Sequence, residues 1–440
     1  MGSTFEDIFG EKLTQSSNST FDVLLKVAWF TPRMIENIPT MCRMGDNHTV
    51  LENKKENMVS VDYGITKNIK VDGIANYLCE EDKYFSAIEG GTILFLFEYL
   101  CACFSGPFFI SDLDDEDETP SIILSGVDNA IGFHLLDGTF DLRASIQYSE
   151  SNQEFQNILM GIEGKLKSEV YNNSFNLELG HLVSEIEEIM SSMIPGSPLK
   201  KRIFKYMFTM IIFFLWFHEM VHIYEGHLAY LSRIQDTRNS RLHELEPHED
   251  ASGRQQIIWL EYEADMLALD MTTNLIASGL DRVLLFGADE DQCVFEISKP
   301  ERIGIFYCLL YGLMACLSNK EAKLTSQYSG RDILDRKPHP RFSLRSKALQ
   351  SYISYRGETD PRFASVREVF SDRVSRLTND RPFIFVQSGI NLDANFFNAN
   401  YNKYMEMVEN FGKRKKDTAD HRSTLFDFYF KLANLSIDPS

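Results

Sequence analysis

The sequence predicts an α+β fold that is mainly helical, with a small sheet and with helical segments appended after the core. Two kinds of observation predict it. Residues 59–63 and 69–71 alternate β-branched or apolar side chains with polar ones, the period-two signature of short, half-buried strands. Residues 206–217 and 257–269 are rich in apolar side chains at helical spacing and contain neither Gly nor Pro, so each reads as a buried helix.

Taken in order, the first sixty residues mix helical pattern with Ser/Asn-rich breaks near 15–20 and 45–49. The strands at 58–71 lead into helices that run through Cys103. Residues 112–118 form an acidic loop that lacks the Gly and the spaced Glu of an EF-hand, so a solvated loop is expected rather than a calcium site. Strand-like content over 121–149 surrounds Asp137-Gly138, a hairpin turn signal. Residues 154–193 read as helix until Ile194-Pro195-Gly196-Ser197-Pro198 breaks the chain, and the next helix begins near Lys201. A polar connection over 232–256 carries Arg241, His243, Glu244, His248 and Glu249; a substrate-contacting lid and a disordered loop both fit its length. Mixed helical segments such as 402–411 and 425–435 suggest an appended region that recognises a substrate or partner. The expected units are an N-terminal extension over 1–60, a core over 61–355 and a C-terminal helical region over 356–440.

The chemistry lies in three short segments. His218-Glu219-Met220-Val221-His222 ends the apolar run at 206–217. Helix positions four apart lie one above the other, so His218 and His222 can both aim a ring nitrogen at one ion at roughly 2.0–2.1 Å. Glu219 stands about 100° around the axis, where it cannot easily join the pair as a ligand. It can instead hold a metal-activated water, and it is assigned as general base and acid.

Two imidazoles leave a catalytic zinc short of the three protein ligands it usually has. Glu261-Tyr262-Glu263-Ala264-Asp265 sits within the second helix, with Glu261 and Asp265 on one face. Glu261 is assigned to the metal. Asp265 is assigned to accept the free ring N–H of a ligand histidine, which would fix its tautomer. Glu263 points elsewhere and is the weaker ligand candidate. His227, about 140° around the helix from His222, is expected as a core or capping residue, and His243 and His248 are expected in solvent.

The third segment is Lys337-Pro338-His339-Pro340, followed by Arg345. Proline after His339 pushes that residue out of the α region, and Pro340 suits the first position of a helix that would carry Arg345 within two turns. Such a junction turns an imidazole and a guanidinium toward one point, so His339 and Arg345 are expected donors to the oxyanion that develops on a scissile carbonyl. The plainer reading is a helix cap followed by a surface arginine.

These three elements, in this order, resemble the gluzincin metallopeptidases that use a Glu as third ligand, including the HtpX-like and CAAX-prenyl endopeptidases. The chain is similar above all to the Lit-like phage-exclusion peptidases and their soluble bacterial relatives. Those proteins carry an HExxH helix, an E-x-E-A-D helix and a His-Pro followed by Arg. The matches here are His218 to His222, Glu261 to Asp265, and His339-Pro340 with Arg345. The resemblance spans about residues 60 to 355. It implies a zincin-like core, a Zn2+ cofactor, and an endopeptidase of the bacterial cytoplasm that cuts an intracellular protein in phage defence when a trigger protein activates it. A metzincin pattern does not fit, because it needs Gly seven and His ten positions after the first His, whereas Gly226 and His227 fall at eight and nine.

Composition narrows the partners. A formal charge of −20 makes nucleic acid an unfavourable general partner, since no basic stripe is present to bind phosphates. The Lys413-Arg414-Lys415-Lys416 run reads as a solvated face. Seven cysteines, odd in number and without a CxxC spacing, point to reduced thiols in a cytosolic protein. No basic segment followed by an apolar core opens the chain, so no secretory signal is expected, and Glu6 stands where myristoylation would need Ser or Thr. The apolar run at 206–217 is shorter than the roughly 18–20 residues that span a bilayer. A second run at 93–110 is interrupted by Glu98, Gly106 and Pro107, so both are expected to be buried helices. The expected partner is therefore a protein or peptide substrate, without membrane insertion. A catalytically silent zinc-binding sensor or interaction protein with a peptidase-like fold would carry the same motifs, because a fold does not by itself prove activity.

Overall fold

The computed structural model describes residues 3–10, 51–52, 58–66, 73–81, 83–104, 109–113, 198–228, 230–231, 239–243, 251–279, 281, 297–325, 342–381 and 384. Among them the chain is mostly helical, with one small mixed sheet. The sheet begins with β1 (Leu51–Glu52) and β2 (Met58–Thr66), which takes in the strand expected at 59–63. The partner expected at 69–71 lies outside the described residues, as do the Asp137-Gly138 hairpin, the helix at 154–193 and the segments at 402–411 and 425–435.

Residues 73–89 were expected as helix and instead form a hairpin, β3 (Gly73–Leu78) and β4 (Lys83–Glu89), before α2 (Gly90–Phe104) begins. The reason is packing across the pair. Tyr77 stacks on Tyr84 at 4.4 Å between ring centroids, and alternate residues face opposite sides of the sheet. Ala75, Tyr84 and Ile88 join the main core, whereas Ile74, Leu78, Phe85 and Ala87 pack with Phe5 and Phe9 of α1 (Phe5–Phe9) on the other side. Strand order is β1-β2-β4-β3-β5, with β2 and β4 parallel and the other neighbours antiparallel. The fifth strand, β5 (Asn239–His243), belongs to the polar connection read as a lid or a disordered loop, so part of that connection is an edge strand of the sheet.

The centre of the molecule is α3 (Pro198–Tyr224). It opens on a proline, as suits a first helical turn. It packs against β3, β4, α2, α4 (Ala251–Ser278) and α5 (Lys299–Thr325). A helix contacted on so many sides must be apolar almost all round, and this one is. Two segments are long and apolar enough to cross a membrane by length and composition, Leu199–Ile223 and Lys299–Ser318. The first is longer than the run expected over 206–217, since the helix extends beyond it on both sides, and the second was not among the runs expected from sequence. Within the fold their apolar windows are 94% and 78% buried, as in core helices.

Two further helices, α6 (Phe342–Thr359) and α7 (Ala364–Asp380), pack on α5. The boundary expected at 355/356 falls inside α6. Ile353, Phe370, Leu377 and Ile384 belong to the same hydrophobic cluster as Trp216 and Val221 of α3. Arg373, 1% exposed, fastens α7 to both the carboxylate of Asp112 and the backbone oxygen of Phe109, and also pairs with Glu301. Asp112, expected in a solvated acidic loop, thus anchors a helix. Because Leu377 is fully buried, Leu377→Ala is expected to destabilise the chain by about 2–5 kcal/mol. Denaturant unfolding followed by far-UV circular dichroism checks this. A loss of less than about 0.5 kcal/mol, the size of a surface effect, would contradict a shared core.

Candidate metal centre

His218 and His222 lie one turn apart near the end of α3, and α4 packs against this part of the fold with Glu261 and Asp265 one turn apart. Helical periodicity thus gives each element a pair of polar groups on one face. All four residues are no more than 1% exposed. The Nε2 atoms of the two histidines are 3.2 Å apart. The carboxylate of Glu261 turns one oxygen to each ring, at 3.2 Å from His218 Nε2 and 3.6 Å from His222 Nε2. One donor atom from each of His218, His222 and Glu261 lies within 4.8 Å of the other two, so the group could hold a metal ion.

Behind this face the other nitrogen of His218, Nδ1, lies 3.1 Å from Asp265 Oδ1. Arg345 was expected to face a scissile carbonyl. It donates instead from Nε and Nη2 to the two oxygens of Asp265, at 2.7 and 2.6 Å, with its guanidinium 4.7 Å from the Phe342 ring. Only 2% of Arg345 is exposed, so the surface-arginine reading does not hold either. Arg345, Asp265 and His218 therefore form a line of contacts that ends at the metal face. His339 and His248 lie outside the described residues. His243 is paired in register with Ile74 at the end of β5.

Electrostatics follow from burial. Burial alone would lower the proton affinity of His218, but Asp265 and Glu261 beside it outweigh that and hold its pKa well above the usual histidine range. The Asp265 carboxyl is pushed up by burial, yet Arg345 and His218 together hold it below the usual carboxylate range. Glu219, Glu261 and Asp265 are buried, and the buried guanidinium of Arg345 meets Asp265. A lining rich in carboxylates suits a cation.

Two glycines shape the surroundings. A Cβ at Gly73, the first residue of β3, would run into the Glu219 carboxylate, so the lack of a side chain there is what lets Glu219 lie against the strand. Gly226 has φ 74° and closes α3, its N–H donating to Ile223 O at 3.1 Å. The helical angle used to place His227 therefore does not apply. The chain turns at Gly226 and brings His227 Nδ1 within 3.0 Å of His222 Nδ1, while His227 Nε2 lies 3.3 Å from Glu263 Oε2. Sequence reasoning missed this contact; the signal available was the glycine immediately before His227.

Comparisons with family models, curated proteins and solved structures find no match to this chain. What can be argued about function therefore rests on the geometry above. Replacing Arg345 with Ala leaves the Asp265 carboxylate buried without its guanidinium and is expected to cost about 3–5 kcal/mol of folding stability. Denaturant titration of the full chain measures it, and a loss below about 1 kcal/mol, typical of an exposed pair, would contradict the buried arrangement.

Proposed function

We propose that the chain is a zinc-dependent endopeptidase that hydrolyses peptide bonds of an intracellular protein, with His218, His222 and Glu261 holding the metal and Glu219 as general base. Donor spacing carries the proposal. Four-coordinate zinc with bonds of about 2.0–2.1 Å sets neighbouring donors about 3.3–3.4 Å apart; His218 Nε2 lies 3.2 Å from both His222 Nε2 and Glu261 Oε2, and one donor atom from each of the three residues lies within 4.8 Å of the other two. Two imidazoles and one carboxylate are also a donor set that leaves a fourth position open for chemistry. The carboxylate-rich lining favours a cation.

Zinc held there supplies a Lewis acid that polarises a carbonyl and makes water acidic near neutral pH. The chain's own residues do the rest. Glu219 accepts the proton of the attacking water on its carboxylate and delivers it to the nitrogen of the departing amine. Gly73 keeps the space beside that carboxylate clear. Asp265 accepts the Nδ1 proton of His218 and so leaves Nε2 bare toward the metal. Arg345 holds Asp265 charged and oriented, a positioning role in place of the oxyanion contact expected from sequence. The oxyanion contact stays proposed for His339.

The order of the motifs supports kinship with the Lit-like and HtpX-like gluzincins. A ligand helix laid against a mixed sheet, with the third ligand on a second helix, supports a zincin-like core. On that kinship we also propose a cytoplasmic location, a protein substrate and a trigger protein acting in phage defence.

Glu219→Gln is expected to retain zinc and to lose about 10²–10⁴-fold in peptide cleavage. The readout is mass spectrometry of the intact proteins cut by wild type and spared by the variant, and undiminished cleavage would refute the role of Glu219. Zinc binding with no Glu219-dependent cleavage would favour the silent binding protein. Gly73→Ala presses a methyl group onto the same carboxylate. It should lower cleavage at unchanged zinc content, and full cleavage would show that Glu219 has no need of that space.

A further inference from the structure

We infer that His227 and Glu263 are positioning residues that fix the tautomer of the second metal-ligand histidine, His222; the inference rests on the metal reading of the site. A histidine that binds metal through Nε2 carries its ring proton on Nδ1 and needs an acceptor there. For His218 that acceptor is Asp265 Oδ1 at 3.1 Å. For His222 the group in place is His227 Nδ1 at 3.0 Å. A neutral imidazole can accept at Nδ1 only when its own proton sits on Nε2. His227 Nε2 faces Glu263 Oε2 at 3.3 Å, where a proton is held by a carboxylate.

The chain of contacts therefore has one direction. His222 donates from Nδ1 to His227 Nδ1, and His227 donates from Nε2 to Glu263. The reverse direction would put a proton on His222 Nε2, where it would block the donor atom. Water competes little here, since His227 is 0%, His222 1% and the Glu263 side chain 12% exposed. Glu263 leaves α4 about 200° around the axis from Glu261, so it cannot join the ligand set and instead reaches the far side of His222 through His227. One helix thus supplies the carboxylate ligand and both carboxylates that set the ring protons, Asp265 directly for His218 and Glu263 through His227 for His222. The turn at Gly226 makes the second route possible, because it brings His227 back onto the ring it serves.

The test uses the full chain with zinc ion alone as probe, its affinity read by competition with a chromogenic chelator. Glu263→Ala and His227→Ala are each expected to weaken zinc binding by about 10–100-fold. The double variant should bind no more weakly than His227→Ala, because both residues act on His222 through one path. His227→Gln, whose amide oxygen can accept from His222 and whose amide nitrogen can donate to Glu263, should recover most of the affinity. Nitrogen-15 spectra of the imidazoles should place the proton on Nδ1 of zinc-bound His222 and on Nε2 of His227. Thermal melting of the zinc-free forms separates these effects from misfolding, and Glu263→Ala, at a partly exposed position, carries the test if His227→Ala does not fold. Wild-type affinity in folded Glu263→Ala, additive losses in the double variant, or a His227 proton on Nδ1 would overturn the inference while leaving the metal site intact. A wild-type chain that binds no zinc would overturn the metal reading and this inference together.

Discussion

The structure turns on the contact between His218 and the two carboxylates of α4, Glu261 on one side of the ring and Asp265 on the other, all three side chains nearly sealed from water. Ionised groups in such a place cost several kcal/mol each unless opposite charge meets them. Among the described residues at this contact, Arg345 meets Asp265, and Glu261 faces the point where the ring nitrogens of His218 and His222 converge. Such a group could hold a metal ion.

The scaffold exists to hold that cluster still. Trp216 and Phe217 immediately before His218 are 2% and 3% exposed, so the turn that carries His218 and His222 cannot rotate without unpacking the core. The sheet bears on the same helix from one side and places Gly73 against Glu219. From the other direction α4 brings the carboxylates, and α6 brings the arginine that steadies Asp265. Even α7, remote in sequence, closes the same core through Phe370 and Leu377. A long apolar helix is therefore needed here for packing, and its apolar character says more about the core than about membranes.

How much of this could be read from the sequence depended on the range of the interactions. His218, His222, Glu261 and Asp265 were readable because each pair is separated by one helical turn, and local periodicity suffices to put them on one face. That the two faces meet was inferred from chemistry, and the distances now agree with it. Arg345 was readable as a helix residue near the site, but its partner was not, because the Asp265 contact joins residues far apart along the chain. His227 is buried, as expected of a core residue, but its contact with His222 was missed, because the angle used holds only for an unbroken helix and Gly226 breaks it. The hairpin at 73–89 was hidden because its strands depend on the Tyr77–Tyr84 stack and on α1 behind the sheet. Nothing local announces that Leu377 shares a core with Val221 either.

Zinc-edge X-ray absorption of the purified full chain, combined with elemental analysis, bears most directly on whether α3 and α4 together clasp an ion. The expected result is one zinc per chain, with two imidazole nitrogens and a carboxylate oxygen at about 2.0–2.1 Å. A chain that takes up no stoichiometric zinc, or a spectrum dominated by thiolate sulfur at about 2.3 Å, would contradict it.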